Sequence, residues 1–133
     1  MTQFNLDIVT PTQSLDIIEV DYLRCPGING SFGIMANHQD GIFSLDIGEI
    51  MIKSKSNTKF YSISGGFAEI NENEVCLLVE TIELSTNIDI SRAKSALQRA
   101  NERKNKSNEE DFDEVRMETS LSRALNRLRV AKR

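Results

Sequence analysis

The chain changes its hydrophobic period once. Up to about residue 87, apolar side chains recur at every second position in short stretches. From Asp89 onward they recur at every third or fourth. Phe4, Leu6 and Ile8 alternate with polar neighbours until Pro11 closes the segment, the pattern of a half-buried strand. Leu15 to Leu23 follows with an imperfect alternation of Ile17, Ile18, Val20 and Tyr22, and Pro26-Gly27-Ile28-Asn29-Gly30 then supplies turn residues. Short apolar pieces recur at Phe32 to Met35, Ile42 to Leu45 and Ile47 to Ile52 around Gly48. Lys53 to Lys59 reads as a polar hairpin loop, with Phe60 to Ile63 returning and Ala68 to Ile70 beyond Gly65-Gly66. Asn71-Glu72-Asn73 predicts another turn, and Val75, Leu77 and Val79 alternate in a last strand. Short strands at such regular spacing predict an antiparallel sandwich or barrel rather than a βαβ fold.

The second period predicts two helices. Ile90, Ala93, Leu97 and Ala100 form one apolar stripe, and Leu121, Ala124, Leu125 and Leu128 another, led in by Phe112, Val115 and Met117. Asn105 to Glu110 breaks the pattern between them. Neither helix is long or apolar enough to stand alone in water, so they are expected to pair as an antiparallel hairpin. The predicted class is therefore α+β. A sandwich domain over 1–85 precedes a helical hairpin domain over 86–133, with Ile88-Asp89-Ile90-Ser91-Arg92-Ala93 as the hinge.

Charge sharpens this division. Residues 1–87 carry 12 acidic and 4 basic side chains, while residues 88–133 carry 8 acidic and 12 basic, so a net of −8 faces a net of +4. A basic helical tail invites an anionic partner: nucleic acid, a nucleotide or an acidic protein surface. An RNA-binding tail would interleave aromatic residues with its arginines for stacking, and the helices offer only Phe112; nucleic acid is not expected. A mean hydropathy of −0.34 and no apolar run near the ~18 residues of a membrane span predict a soluble chain. The opening Met1 to Asp7 predicts no secretory signal and a cytoplasmic location.

Most candidate chemistry is thin. The single histidine, His38, has no recognisable nucleophile nearby, and Cys25 and Cys76 lack the partners of a zinc or redox motif. Neither a catalytic centre nor a metal site is expected. Cys25 reads as a turn thiol and Cys76 as a buried small hydrophobe. Gly27, Gly30 and Gly33 do not form a dinucleotide motif, and Gly65-Gly66 reads as a bulge or a close approach of strands. The arginines are more pointed. Arg92, Arg99 and Arg103 are spaced i, i+7 and i+11, within ~40° of one another on a helix, and Arg116, Arg123 and Arg127 repeat the spacing. Folding the hairpin would gather guanidinium groups, whose forks suit phosphate oxygens. Asp89 stands at a helix start, where a carboxylate is favoured in any case.

The order and spacing of several segments resemble the epsilon-subunit family of bacterial F-type ATP synthases over essentially the whole chain. These are Leu6-Asp7-Ile8-Val9-Thr10-Pro11, Gly30-Ser31-Phe32-Gly33-Ile34 leading to His38, Ile63-Ser64-Gly65-Gly66-Phe67-Ala68-Glu69-Ile70, and Ile88-Asp89-x-x-Arg92-Ala93. The resemblance implies a β-sandwich of about ten short strands followed by a helical hairpin, in agreement with the periodicity. It implies a non-catalytic rotor subunit with no required cofactor, seated between the gamma subunit and the c-subunit ring on the cytoplasmic face of the membrane. Gly30, Ser31, Phe32 and His38 would then face the ring. The helices would reach toward the alpha and beta subunits and restrain ATP hydrolysis, and ATP would be a regulatory ligand of the folded hairpin. Matched position by position, that ligand site comprises Glu83, Ile88, Asp89, Arg92, Ala93 and Arg99, with Arg123 and Arg127 as candidates from the second helix. A free-standing ATP-sensing module is the alternative. The chain departs from the family in lacking an acidic residue at Ser31 and in carrying Ala36-Asn37-His38 where Pro-Gly-His is common; Asn37 is expected to take a positive φ there.

Overall fold

A computed structural model describes residues 2–105 and 114–133. Seven strands, β1 (Phe4–Val9), β2 (Ser14–Gly27), β3 (Gly30–Ile34), β4 (Gly41–Ser54), β5 (Asn57–Asn71), β6 (Glu74–Val79) and β7 (Ile82–Leu84), precede a 3-10 turn (Ser85–Asn87) and the helices α1 (Ile90–Asn105) and α2 (Glu114–Ala131).

Three strands are far longer than their hydrophobic pieces predict, because β2, β4 and β5 each run through both layers of a sandwich. The first half of β2 pairs with β1 and its second half with β3. The second half of β5 pairs with β6 and its first half with β7. Strands β4 and β5 stay paired from Gly41–Ile70 to Ser54–Asn57, skipping a step between Leu45–Gly66 and Ile47–Ser64. One layer is therefore β3-β2-β4-β5-β7, and the other is β2-β1-β6-β5-β4. Counted by layer, the seven continuous strands supply the ten short segments expected. The pairing is antiparallel throughout except for β1 with β6, which is parallel and closes the barrel-like sandwich.

The bends fall where the backbone is unusual. Glu19 in β2 has φ 56°, and Gly65 and Gly66 in β5 have φ 103° and 147°. A Cβ on Gly66 would overlap the carbonyl oxygen of Leu78 on β6, so the pair marks a close approach of strands, as its sequence implies. The polar stretch Lys53–Lys59 shrinks to a two-residue turn, Lys55-Ser56 with φ 50° and 69°, because Lys53 and Ser54 already pair with Thr58 and Asn57. Asn37 has φ 63°, as expected of Asn in place of Gly.

The core between the layers holds Leu6, Ile8, Val20, Leu23, Ile34, Ile50, Ile63 and Leu77, all fully buried. Strand alternation reverses the expected roles of the cysteines. Cys25 is in phase with buried Leu23 and lies in the core, where burial pushes its thiol up to about 12. Cys76 falls between buried Val75 and Leu77 and so points outward, half-buried, its pKa raised by burial and by Asp7 and Glu69.

The helices pair antiparallel, since Ile88 and Ala93 at the start of α1 meet Val130 at the end of α2. The buried arcs differ from the sequence stripes at four positions. Ile90 and Leu125 are 44% and 43% exposed, while Asn126 and Val130 are buried. The reason is that α2 packs on two surfaces, α1 and the sandwich, and the second one rotates its buried face. Phe112 and the side chains of Val115, Arg116 and Met117 lie outside the described residues, as does most of the break from Asn105 to Glu110.

Replacing Gly66 by Ala should drive a methyl group into the β6 backbone. With positive-φ strain added, the expected loss is about 2–4 kcal/mol, read as a lower urea midpoint at unchanged slope.

Candidate functional site

The 3-10 turn carries the chain from β7 into α1. The backbone N–H of Arg92 donates to the Asp89 carboxylate (3.1 Å), and that of Ala93 to the Asp89 carbonyl (3.0 Å), so Asp89 is the N-cap of α1. Ile88 and Ala93 are buried beneath the hinge with Val130, against Phe60, Leu128 and Ala131. These three hinge residues fix where α1 begins and which way its arginines point.

Arg92 and Arg99, two turns apart, line a cavity of about 460 Å³ together with Ser91, Ser95, Ala96 and, from α2, Arg127. An adjoining cleft of about 480 Å³ is lined by Ser62, Ser64, Thr81, Glu83, Ser120, Arg123 and Ala124, and shares Ala96 and Arg127 with the first. The structure thus gathers Arg92, Arg99, Arg123, Arg127 and Glu83 along one seam between α1, α2 and β7. Arg103 is exposed farther along α1, and Arg116 is outside the described side chains. At the centre, Arg127 grips Glu83 with both prongs, Nε to Oε1 at 2.7 Å and Nη2 to Oε2 at 3.1 Å. Among the described residues, Arg92 and Arg99 have no acidic partner. Three arginines and two serines line one cavity, a composition suited to a polyanion.

The loop residues form a second group. Gly30, Ser31 and Phe32 lie on β3, paired with Gly27, Pro26 and Cys25 of β2, with Gly30 and Ser31 exposed. Phe32 stacks tilted against Phe43 (5.3 Å between centroids), and His38 meets the same ring edge-on (5.8 Å). Three rings from β3, the following turn and β4 thus form one continuous edge.

Sequence reasoning misses a third group, which docks α2 on the sandwich. Buried Asn126 donates to the Gly48 carbonyl (2.9 Å) and to the Ser62 hydroxyl (3.0 Å). Arg133 donates to both carboxylate oxygens of Glu49 (2.9 and 2.8 Å) and stacks over Phe60 (4.6 Å). A polar residue beside an apolar helical stripe signals Asn126; no local pattern pairs Arg133 with Glu49.

The layer opposite the helices keeps an apolar outer face. Val9, Leu78 and Phe67 are neighbours across β1, β6 and β5, and Phe67 and Leu78 are 50% and 44% exposed. Beside this row, Asp16, Asp7, Cys76, Glu69 and Ile42 form another. The Asp7 carboxyl pKa is raised from its ordinary value, chiefly through its hydrogen bond with Asp16.

Residues 3–85 match the family model for the beta-sandwich domain of the ATP synthase delta/epsilon chain, and residues 86–132 match that for its long alpha-helix domain. The ATP synthase epsilon chain of Nitratidesulfovibrio vulgaris is 39% identical over 126 residues, covering 95% of this chain and 93% of its own length. That of Bacillus pumilus is 38% identical over 131 residues, covering 98% of each. The chain belongs to the epsilon-chain family of ATP synthases. Its fold recurs in a chain of the Euglena gracilis mitochondrial ATP synthase (OSCP/F1/c-ring, rotational state 1), with a TM-score of 0.85 at 22% identity over 100% of this chain and 83% of that one. A chain of the Tetrahymena thermophila central stalk and c-ring matches with a TM-score of 0.65 at 13% identity, covering 98% and 94%.

For this epsilon-family hinge, Asp89→Ala removes the α1 cap. The expected cost is about 1 kcal/mol, seen as faster amide exchange at Arg92 and Ala93 with the sandwich amides unchanged.

Proposed function

We propose that the chain is a non-catalytic central-stalk subunit of a bacterial F-type ATP synthase, coupling rotation of the c-subunit ring to ATP synthesis in other subunits. The observation that carries this reading is the two-sidedness of the sandwich. One layer holds the helices, and the other presents Val9, Leu78 and Phe67 as a flush apolar row, the kind of surface a soluble domain leaves open for a partner. In the proposed arrangement the gamma subunit docks on that face, and the edge formed by Gly30, Ser31, Phe32 and His38 meets the c ring. The subunit is peripheral to the cytoplasmic face of the membrane. No helix among the described residues is long and apolar enough to cross a membrane, which is consistent with attachment through the complex.

The helices supply regulation in this reading. Leaving the sandwich, they extend toward the alpha and beta subunits and inhibit ATP hydrolysis; ATP bound between Arg92, Arg99 and Arg127 holds them folded. Asp89, Ile88 and Ala93 shape that site, while Glu83 and Arg123 line its adjoining cleft. The energies are matched. Ligand at ~100 times its dissociation constant stabilises the bound form by about 2.7 kcal/mol, comparable to the few kcal/mol by which a small helical pair docks on a domain.

Two measurements test the proposal. Phe67→Asp should abolish co-purification with the gamma subunit while leaving the unfolding midpoint nearly unchanged, since the residue is half exposed; undiminished binding removes this face as the docking surface. Failure of the wild-type chain to bind gamma at all would instead favour a free-standing ATP-sensing module. Calorimetric titration with ATP should show saturable binding that is lost in Arg92→Ala and Arg99→Ala, and unchanged affinity excludes both from the site.

A further inference from the structure

We propose that Arg133 and Glu49 form a releasable latch holding α2 on the sandwich, and that Arg24 sets how readily the latch opens. This rests on the reading in which the helices leave the sandwich. The residues are 84 apart in sequence, yet the Arg133 guanidinium meets both oxygens of the Glu49 carboxylate at 2.9 and 2.8 Å. Its other contact is the Phe60 ring, 4.6 Å from the guanidinium carbon. Phe60 also packs against Ile88, Ala93 and Val130, so the latch is tied to the apolar contact that seats the last turn of α2 against the hinge.

Glu49 has a second partner. Nη2 of Arg24, on the neighbouring strand β2, lies 3.3 Å from Oε1, the same oxygen that Arg133 holds more closely. The Glu49 side chain is only 14% exposed. Stripping a carboxylate so enclosed of its cation would ordinarily be costly. Here it is not stripped, because Arg24 belongs to the sandwich and remains when α2 departs. Arg133 passes into water, and Glu49 passes to Arg24. The two arginines also share one carboxylate while α2 is docked, so their like charges oppose each other. Arg24 therefore favours release twice: it repels Arg133 in the docked form and satisfies Glu49 in the released form. The Glu83–Arg127 pair has no such second cation among the described residues, and so it anchors α2 without a built-in exchange.

The assignment predicts opposite effects from two arginines that touch the same carboxylate. In the full chain, hydrogen exchange of the α2 amides reads docking, and the β4–β5 amides serve as the folding reference. Arg133→Ala should speed α2 exchange about tenfold with the reference unchanged, the size expected for a bidentate charged pair. Arg133→Lys, which keeps the charge and loses the fork, should fall between. Arg24→Ala should slow α2 exchange by roughly threefold, against the direction of a mere structural loss. Equal exchange in wild type and Arg133→Ala, or faster exchange in both alanine variants, overturns the latch. In ATP synthase assembled with Arg133→Ala, altered ATP hydrolysis joins the latch to regulation. Unaltered hydrolysis alongside faster α2 exchange leaves the latch in place and counts against movable helices as the regulator.

Discussion

The β4–β5 ladder is the constraint on which the rest of the structure depends. It runs through both layers with a single irregular step at Asp46 and Gly65, so its two halves face different surroundings while belonging to one pair of strands. The half from Ile47 to Ser54, with Asn57 to Ser64 opposite, forms the bed on which α2 lies. The half from Gly41 to Leu45, with Gly66 to Ile70 opposite, carries Phe67 and flanks the exposed apolar row. A paired antiparallel ribbon bends but does not stretch, because slipping it by one residue would turn every buried side chain outward. Whatever grips one half is therefore rigidly referred to whatever lies on the other.

The helical pair is held quite differently. Its own apolar contribution is small, since three of the four buried apolar side chains of the described helices are alanines, Ala93, Ala100 and Ala124. Alanine allows close approach but buries little area, and apolar stabilisation scales with area. Polar anchors make up the difference: Asn126 on Gly48 and Ser62, Arg127 on Glu83, and Arg133 on Glu49. Polar anchors suit reversible docking, because their groups are welcome in water on separation, whereas a large apolar face would not be.

Sequence reading succeeded where information is local and periodic. The alternations Phe4-Leu6-Ile8 and Val75-Leu77-Val79 report burial directly, and the change of period near Asp89 reports the passage from strands to helices. Even the positive φ of Asn37 and the close approach at Gly66 followed from residue type. It was less complete where one element faces two environments. The apolar pieces on either side of Asp46 and of Gly65-Gly66 read as separate short strands but are halves of the continuous β4 and β5, and Leu125 read as part of the buried stripe although α2 turns a different face to its two partners. For the candidate site, helical spacing alone aligned Arg92 with Arg99, but bringing Arg127 onto Glu83 required the tertiary fold. The Arg24–Glu49–Arg133 cluster joins three distant segments and left no local trace.

That contrast bears on how such a subunit divides its work. The readable part, the sandwich, has one stable answer and pairs its strands accordingly. The less readable part depends on charges that the docked helices bring together, and these are the interactions that salt and anions can alter. Arg127 is held by Glu83 at the rim of the arginine-lined cavity, so any polyanion entering there works on the same ion pair that fastens α2 to β7. In the proposed function, ligand binding and helix docking would thereby be coupled through one guanidinium. By linkage, an anion that binds the docked form more tightly is itself bound more tightly when docking is favoured, and one that draws Arg127 off Glu83 weakens docking by as much as docking weakens its binding.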